Sequence, residues 1–455
     1  MKKLLGIAAV SILIILVSIY GIVTTSDETK TRPNIVVIMA DDQRWDMIQY
    51  MPNVMKLADE GITFTNSFVS TPLCCPSRAS FLTGQYAHTH EVLTNEPPYG
   101  GVQRFNDNET LPVWLKEAGY TTGLVGKYLN GYERILPYVA PGWDEWQVID
   151  GMHFYAYNMS ENGIIRTFGD SESDYSTDIL TDKALHFIQN AEQPFFLLFT
   201  PIAPHVDAHT PFPIPAQRHV GTCDDIKRTK PPNFNEWDVD DKPKWVKNRP
   251  ILGRSDRNYL DTLWREQICS LKAVDEAVAK ILNALRAESE NTVIIYTSDN
   301  GYALGEHRLR GKKNCIYEEC NRVPLIISYS KLTKRGIQLD ELVQNIDLAP
   351  TIAELAHTSP AIMINGKSLL TLINNPEAKW SDSILIEYFF RGGTKQHNAT
   401  AVRDMQFKYV ELSTGERELY DMLNDPYELK NKIHDEAYSS IVEQWKGVLE
   451  ELKLE

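Results

Sequence analysis

The sequence predicts an α/β fold: a large, mostly parallel central sheet flanked by helices, followed by a small antiparallel α+β unit. Short runs that are apolar on both faces recur along the chain, and stretches of helical period separate them. After about residue 375 the pattern changes to short strands alternating with turns.

The chain opens on Lys2 and Lys3, then runs nearly all apolar from Leu4 to Val23. A positive start before about 20 apolar residues reads as a signal peptide or a membrane anchor over residues 1–29, which places the body outside the cytoplasm. NIVVIMADDQ (Asn34 to Gln43) is a buried strand ending in two acids, and MPNVMKLADEGI is a helix. STPLCCPSRASFLTGQ follows, with Pro76 marking a helix start. The helix TLPVWLKEAGY leads into the strand TTGLVGKYLN (Thr121 to Asn130), and STDILTDKALHFIQNAE leads into PFFLLFTPIAPH (Pro194 to His205). Residues 206–258 are rich in proline and charge with weak periodicity, and are expected to form a substrate-shaping lid. The helix WREQICSLKAVDEAVAKILNALRAE, the strand NTVIIYTSDNG (Asn291 to Gly301) and the strand VPLIISY complete a catalytic domain over residues 30–374. Residues 375–455 carry SILIEYFF, AVRDMQFKYVEL, ERELYDM and a last amphipathic helix from about Ala437 to Lys453.

The 455 residues, 43% of them hydrophobic, bury a full core, and the formal net charge of −15 argues against nucleic acid as a partner. An anionic substrate must then meet a locally basic site. In open sheets of this kind ligands bind beyond the carboxyl ends of the strands. Those ends are Asp41-Asp42, Lys127, His205 and Asp299-Asn300, all expected on one edge. Three carboxylates and an amide oxygen with no soft donor suit Ca²⁺, or Mg²⁺ behind it, rather than Zn²⁺.

Cys74 and Cys75 stand side by side before PSRASFLTG. A cysteine at a helix start faces the positive end of the helix, where thiols are acidified. Two buried thiols or a redox pair would leave Pro76 and Arg78 without a reason. The other cysteines are Cys223, Cys269, Cys315 and Cys320, and spacing leaves their pairing open.

CCPSRASFLTG resembles the signature of the sulfatase family, Cys-x-Pro-Ser-Arg before an apolar stretch and Thr-Gly, and fits it only with Cys74 as the first residue. RPNIVVIMADDQ, GKYLNGY, PIAPH, YTSDNGYALGEH, YEECNRVPLII, NIDLAPTIAEL and LYDMLNDPYELKN extend the resemblance over most of the chain. Within the family it is most similar to glucosamine-6-sulfatases and extracellular heparan sulfatases. The resemblance implies that a maturation enzyme oxidises Cys74 to formylglycine. That aldehyde's hydrate offers one oxygen to attack sulfur and a second hydroxyl to expel sulfate. It also implies that Asp41, Asp42, Asp299 and Asn300 hold calcium together with residue 74, and that Arg78 holds the hydrate. Lys127 and Lys313 match the sulfate-binding lysines, with Lys312 the poorer fit, and His205 matches the histidine that protonates the leaving oxygen or binds sulfate.

The expected substrate is a sulfated carbohydrate, 6-sulfated N-acetylglucosamine or a glycosaminoglycan. Phosphate or phosphonate ester hydrolysis on the same fold, and an inactive membrane-tethered glycan-binding protein, are the alternatives. One position departs from the family pattern: Leu129 stands where many sulfatases carry a histidine that assists sulfate elimination. His307 is the candidate to replace it as a substrate-facing base. His88, His90 and His209 are further candidates for the pocket, and Asp347 is expected to cap a helix.

Overall fold

β1 (Asn34–Ala40) explains the layering of the molecule, because all seven of its residues are buried. In this computed structural model, which describes residues 32–286, 291–331, 335–390 and 398–454, its side chains alternate between two cores. Val36 and Ile38 face one core; Ile35, Val37 and Met39 face the other. Each fully buried aliphatic side chain stabilises the fold by roughly 1.5–3 kcal/mol. The helices Pro52–Glu60, Ser176–Asn190 and Arg254–Ala284 close the first core. Cys74–Thr83, Leu111–Glu117 and Leu348–Leu355 close the second.

The remaining strands of the main sheet are β2 (Ile62–Phe68), β3 (Thr121–Gly126), β4 (Glu145–Ile149), β5 (Asn158–Glu161), β6 (Ile164–Thr167), β7 (Phe195–Thr200), β8 (Thr292–Ser298), β9 (Leu325–Tyr329) and β10 (Ile337–Gln344). Their order is β10-β2-β9-β8-β1-β7-β3-β4-β5-β6. The run from β8 through β1, β7 and β3 to β4 is parallel. β9 is antiparallel to both its neighbours, and β5 and β6 are antiparallel at the far edge. A second sheet, β11 (Ile384–Tyr388), β12 (Ala399–Arg403), β13 (Phe407–Leu412) and β14 (Arg417–Asp421), is wholly antiparallel. One of its faces takes Val442, Trp445 and Leu449 of the last helix, Ser439–Leu452. The other packs Ile386, Ala401 and Val410 against Ile316, Tyr317 and Cys320.

Three expectations are corrected. The helix at the cysteine pair begins at Cys74, so Pro76 falls inside its first turn, where its missing N–H costs nothing. The long helix begins at Arg254, inside the stretch read as a lid. The rest of that stretch is clamped down: Cys223 is disulfide-bonded to Cys269 of the long helix, and Asn235 donates its N–H to the Gly305 carbonyl. Cys315 and Cys320 form the second disulfide. The expected signal peptide or anchor, residues 1–29, lies outside the described residues, among which no helix is long and apolar enough to cross a membrane.

Candidate active site

The parallel strands β1, β3, β7 and β8 deliver their following residues to one edge of the sheet, and the tip of the helix Cys74–Thr83 meets them there. Asp42 has a φ of 69°, a left-handed conformation that Asp tolerates better than most residues. The turn lets two consecutive carboxylates converge: Asp41 Oδ1 is 3.4 Å and Asp42 Oδ1 is 3.9 Å from the Cys74 sulfur. Asp299 Oδ1 accepts the Asp42 N–H at 3.1 Å, which ties the ends of β1 and β8 together. Lys127 follows Gly126, where a Cβ would lie 2.1 Å from the Thr200 carbonyl oxygen, so only glycine lets this chain pass so close to β7.

Cations interleave with these acids. Lys127 Nζ donates to Asp41 Oδ2 at 2.6 Å, and Arg78 Nε donates to Asp299 Oδ2 at 2.8 Å. Arg78 also holds the Lys127 carbonyl at 2.9 Å. Lys313 Nζ lies 2.8 Å from both Asp42 Oδ1 and the Cys74 sulfur. His205 Nδ1 donates to the Val206 carbonyl at 2.6 Å, which turns Nε2 toward Asp42 Oδ2, 3.6 Å away. Lys312 points elsewhere, over the Trp245 ring, where burial and Arg249 bring its ammonium down to about 8.

Burial would discharge Lys127 and Lys313, but the carboxylates outweigh it and hold both above the usual lysine range. Burial and then Lys313 hold His205 below the usual histidine value. Burial also opposes ionisation of Asp41, yet Lys127, His205, Arg78 and Lys313 keep it far below the carboxylate range. The expected acidified thiol is corrected: burial, then Asp299 and Asp41, push Cys74 well up. Burial weighs most here, the two carboxylates add to it, and Lys127 and Lys313 only partly oppose them, so the thiol stays protonated.

The residues present fit a hard divalent cation. Asn300 donates its amide N–H to Asp42 Oδ1 at 2.6 Å, while its buried Oδ1 has no hydrogen-bond partner. Burial, then the nearby Asp41, push the Asp299 carboxyl up against the pull of Arg78 and Lys127. Asp41, Asp42, Cys74 and His205 each bring a potential ligand atom within 4.8 Å of the others.

Lys127, His205 and Lys313 line a cavity of about 900 Å³. β4 and its following loop contribute Ile149 and Asp150, and the second sheet contributes Tyr388 and Phe390 on or just after β11. Leu129 lines it too, buried in the second core. Of residues 206–253 only Ala208 reaches this wall, so that stretch is no lid over the cavity.

The structure separates the remaining histidines from the cluster. His307 is fully buried, with Nδ1 2.7 Å from Glu236 Oε2, Nε2 3.2 Å from Asn233 Nδ2 and its ring stacked on Tyr317. The expectation that it faces substrate is corrected: Glu236 and Asn233, from the clamped stretch, draw it away. His90 bonds Ser80, His88 bonds Glu387, and His209 stacks on His153, itself a wall residue. Asp347 accepts the N–H groups of Gln344 and Lys367 instead of capping the helix that follows.

A sulfatase family model matches residues 33–358, and a model described as N-sulphoglucosamine sulphohydrolase, C-terminal, matches residues 305–455. An extracellular sulfatase Sulf-1 homolog of Caenorhabditis elegans is 33% identical over 93% of this chain, which spans 62% of that protein's length. The N-acetylglucosamine-6-O-sulfatase of Bacteroides thetaiotaomicron is 28% identical, with 93% of this chain and 87% of that protein covered. A solved structure of a protein bound to its substrate, D-glucosamine-2-N,6-O-disulfate, superposes with a TM-score of 0.79 at 27% identity, covering 93% of this chain and 97% of the other. The phosphonate monoester hydrolase of Agrobacterium radiobacter shares the fold, with a TM-score of 0.75 at 22% identity over 93% and 96% of the two chains.

Proposed function

Because the chain belongs to the sulfatase family of sulfuric ester hydrolases, we propose that it releases sulfate from a sulfated carbohydrate outside the cytoplasm, with Cys74 matured to formylglycine and calcium bound beside it. The observation that supports this reading most is the convergence on one helix tip of acids from β1 and β8, cations from β3 and the Lys313 loop, and Cys74 itself. Asp41, Asp42, Asp299 and Asn300 would hold the cation through oxygen, with an oxygen of residue 74 beside them. Formylglycine supplies the oxygen nucleophile that an unactivated thiol lacks. Lys127 and Lys313 neutralise charge on the sulfate, Arg78 orients the acids and residue 74, and His205 Nε2 faces the leaving oxygen.

The substrate proposed is a 6-sulfated glucosamine residue of a glycosaminoglycan, in keeping with the activity of the bacterial relative and the substrate of the structural neighbour. Two disulfides accord with an oxidising compartment. The test is sulfate release from defined sulfated sugars by protein made in its native host, with aryl phosphate as control. Activity lost to chelator, regained with Ca²⁺, and a Cys74 peptide lighter than the thiol form by the mass of conversion to an aldehyde are expected. A peptide that stays a thiol in fully active protein would sink the proposal.

A further inference from the structure

Two carboxamide oxygens on residues of the cavity wall have no hydrogen-bond partner within the protein. Asn130 Oδ1 and Asn314 Oδ1 are both buried atoms without a hydrogen-bond partner, and both residues line the cavity that holds Lys127 and Lys313. Each stands close in sequence to one of those lysines, Asn130 three residues after Lys127 and Asn314 directly after Lys313. Their backbones are fixed. The Asn130 carbonyl accepts the Val102 N–H at 2.8 Å, and the Asn314 N–H donates to the Pro72 carbonyl at 2.8 Å, two residues before Cys74. An acceptor held out of water without a donor is costly, so such groups are kept where a ligand completes them. Their need is specific: each oxygen wants a donor, a hydroxyl or an amide N–H.

From this we infer that Asn130 and Asn314 are the residues that select a sugar over other sulfate esters, by accepting hydrogen bonds from hydroxyl or amide N–H groups on the ring that carries the sulfate. The inference rests on the proposed sulfatase activity. Aryl sulfates offer no donor at these points and leave both amides unpaired, which is how a polar site rejects an analogue lacking the matching group. Asn314 has a φ of 65°, so its identity also serves the backbone. Glycine keeps that conformation and removes only the amide.

The test measures kcat/KM of the holoenzyme for 6-sulfated N-acetylglucosamine and for 4-nitrophenyl sulfate, in wild type, Asn130→Ala and Asn314→Gly. Both rates come from one sample, so their ratio is independent of how much of a variant folds or matures. Each substitution is expected to lower the sugar-to-aryl ratio by roughly 10–100-fold. A ratio that stays at the wild-type value, whether both rates fall together or neither falls, overturns the inference. A wild-type enzyme inert toward both esters would instead count against the sulfatase proposal itself.

Discussion

Lys312 and Lys313 are chain neighbours with opposite surroundings: one ammonium lies over Trp245, the other bridges Asp42 and Cys74. Lys313→Ala is expected to cost about 10²–10³ in kcat/KM, the scale for losing one preorganised charge at a transition state. Lys312→Ala should cost less than about tenfold, and steady-state kinetics on a common sulfate ester separate the two. At this scale much of the site was legible, because Asp41, Asp42, Lys127, Asp299 and Asn300 each follow an apolar strand directly. The fate of His307 was not legible. Its partners Glu236 and Asn233 come from a stretch without periodicity, far away in sequence, and nothing local announces them. The unpartnered carboxamide oxygens of Asn130 and Asn314 were equally silent, since an asparagine in a loop reads first as a turn residue.

The helix Cys74–Thr83 buries all of its residues, and its outer end is pinned through His90. His90 Nδ1 accepts the Val92 N–H, so Nε2 carries the hydrogen offered to Ser80 Oγ, and the ring is neutral. Burial holds its pKa at about 3, against an ordinary 6.5. Between those values the unfolded chain binds a proton that the folded one refuses. Stability from this residue is therefore complete above pH 6.5 and is lost as pH falls, by up to about 1.4 kcal/mol per pH unit. His90→Gln should flatten that part of the profile, measured by urea unfolding between about pH 4.5 and 6.5; a slope equal to the wild type's would refute it. Elements apolar on both faces, such as β1 and β7, could be read from the chain. β2 and β10 could not, because β2 is half-buried along part of its length and β10 partly exposed, which breaks the buried pattern. The antiparallel run of β9 was hidden as well, since apolarity carries no direction.

Over the whole molecule the formal charge is −15, yet the site balances Asp41, Asp42 and Asp299 against Arg78, Lys127 and Lys313. A divalent cation would make this point positive within an acidic protein, which suits an anionic ester. Ca²⁺ at a hundred times its Kd should then stabilise the fold by about 2.7 kcal/mol. That is a rise of roughly 3 °C in Tm, reversed by chelator and much smaller in Asp299→Asn. An equal rise in that variant would place the ion elsewhere. The division into two sheets was legible from the change of pattern near residue 375. That the second sheet lends Tyr388 and Phe390 to the cavity was not, because only the folded packing brings them there.

Cys74 has no solvent exposure at all. If its oxidation is the step that arms the enzyme, the modifying catalyst meets this side chain only while the polypeptide is still open, during or just after synthesis. Folding is then a deadline: molecules that close too early are sound in shape and permanently silent, and the active fraction of a preparation records a race won or lost before the protein was ever whole.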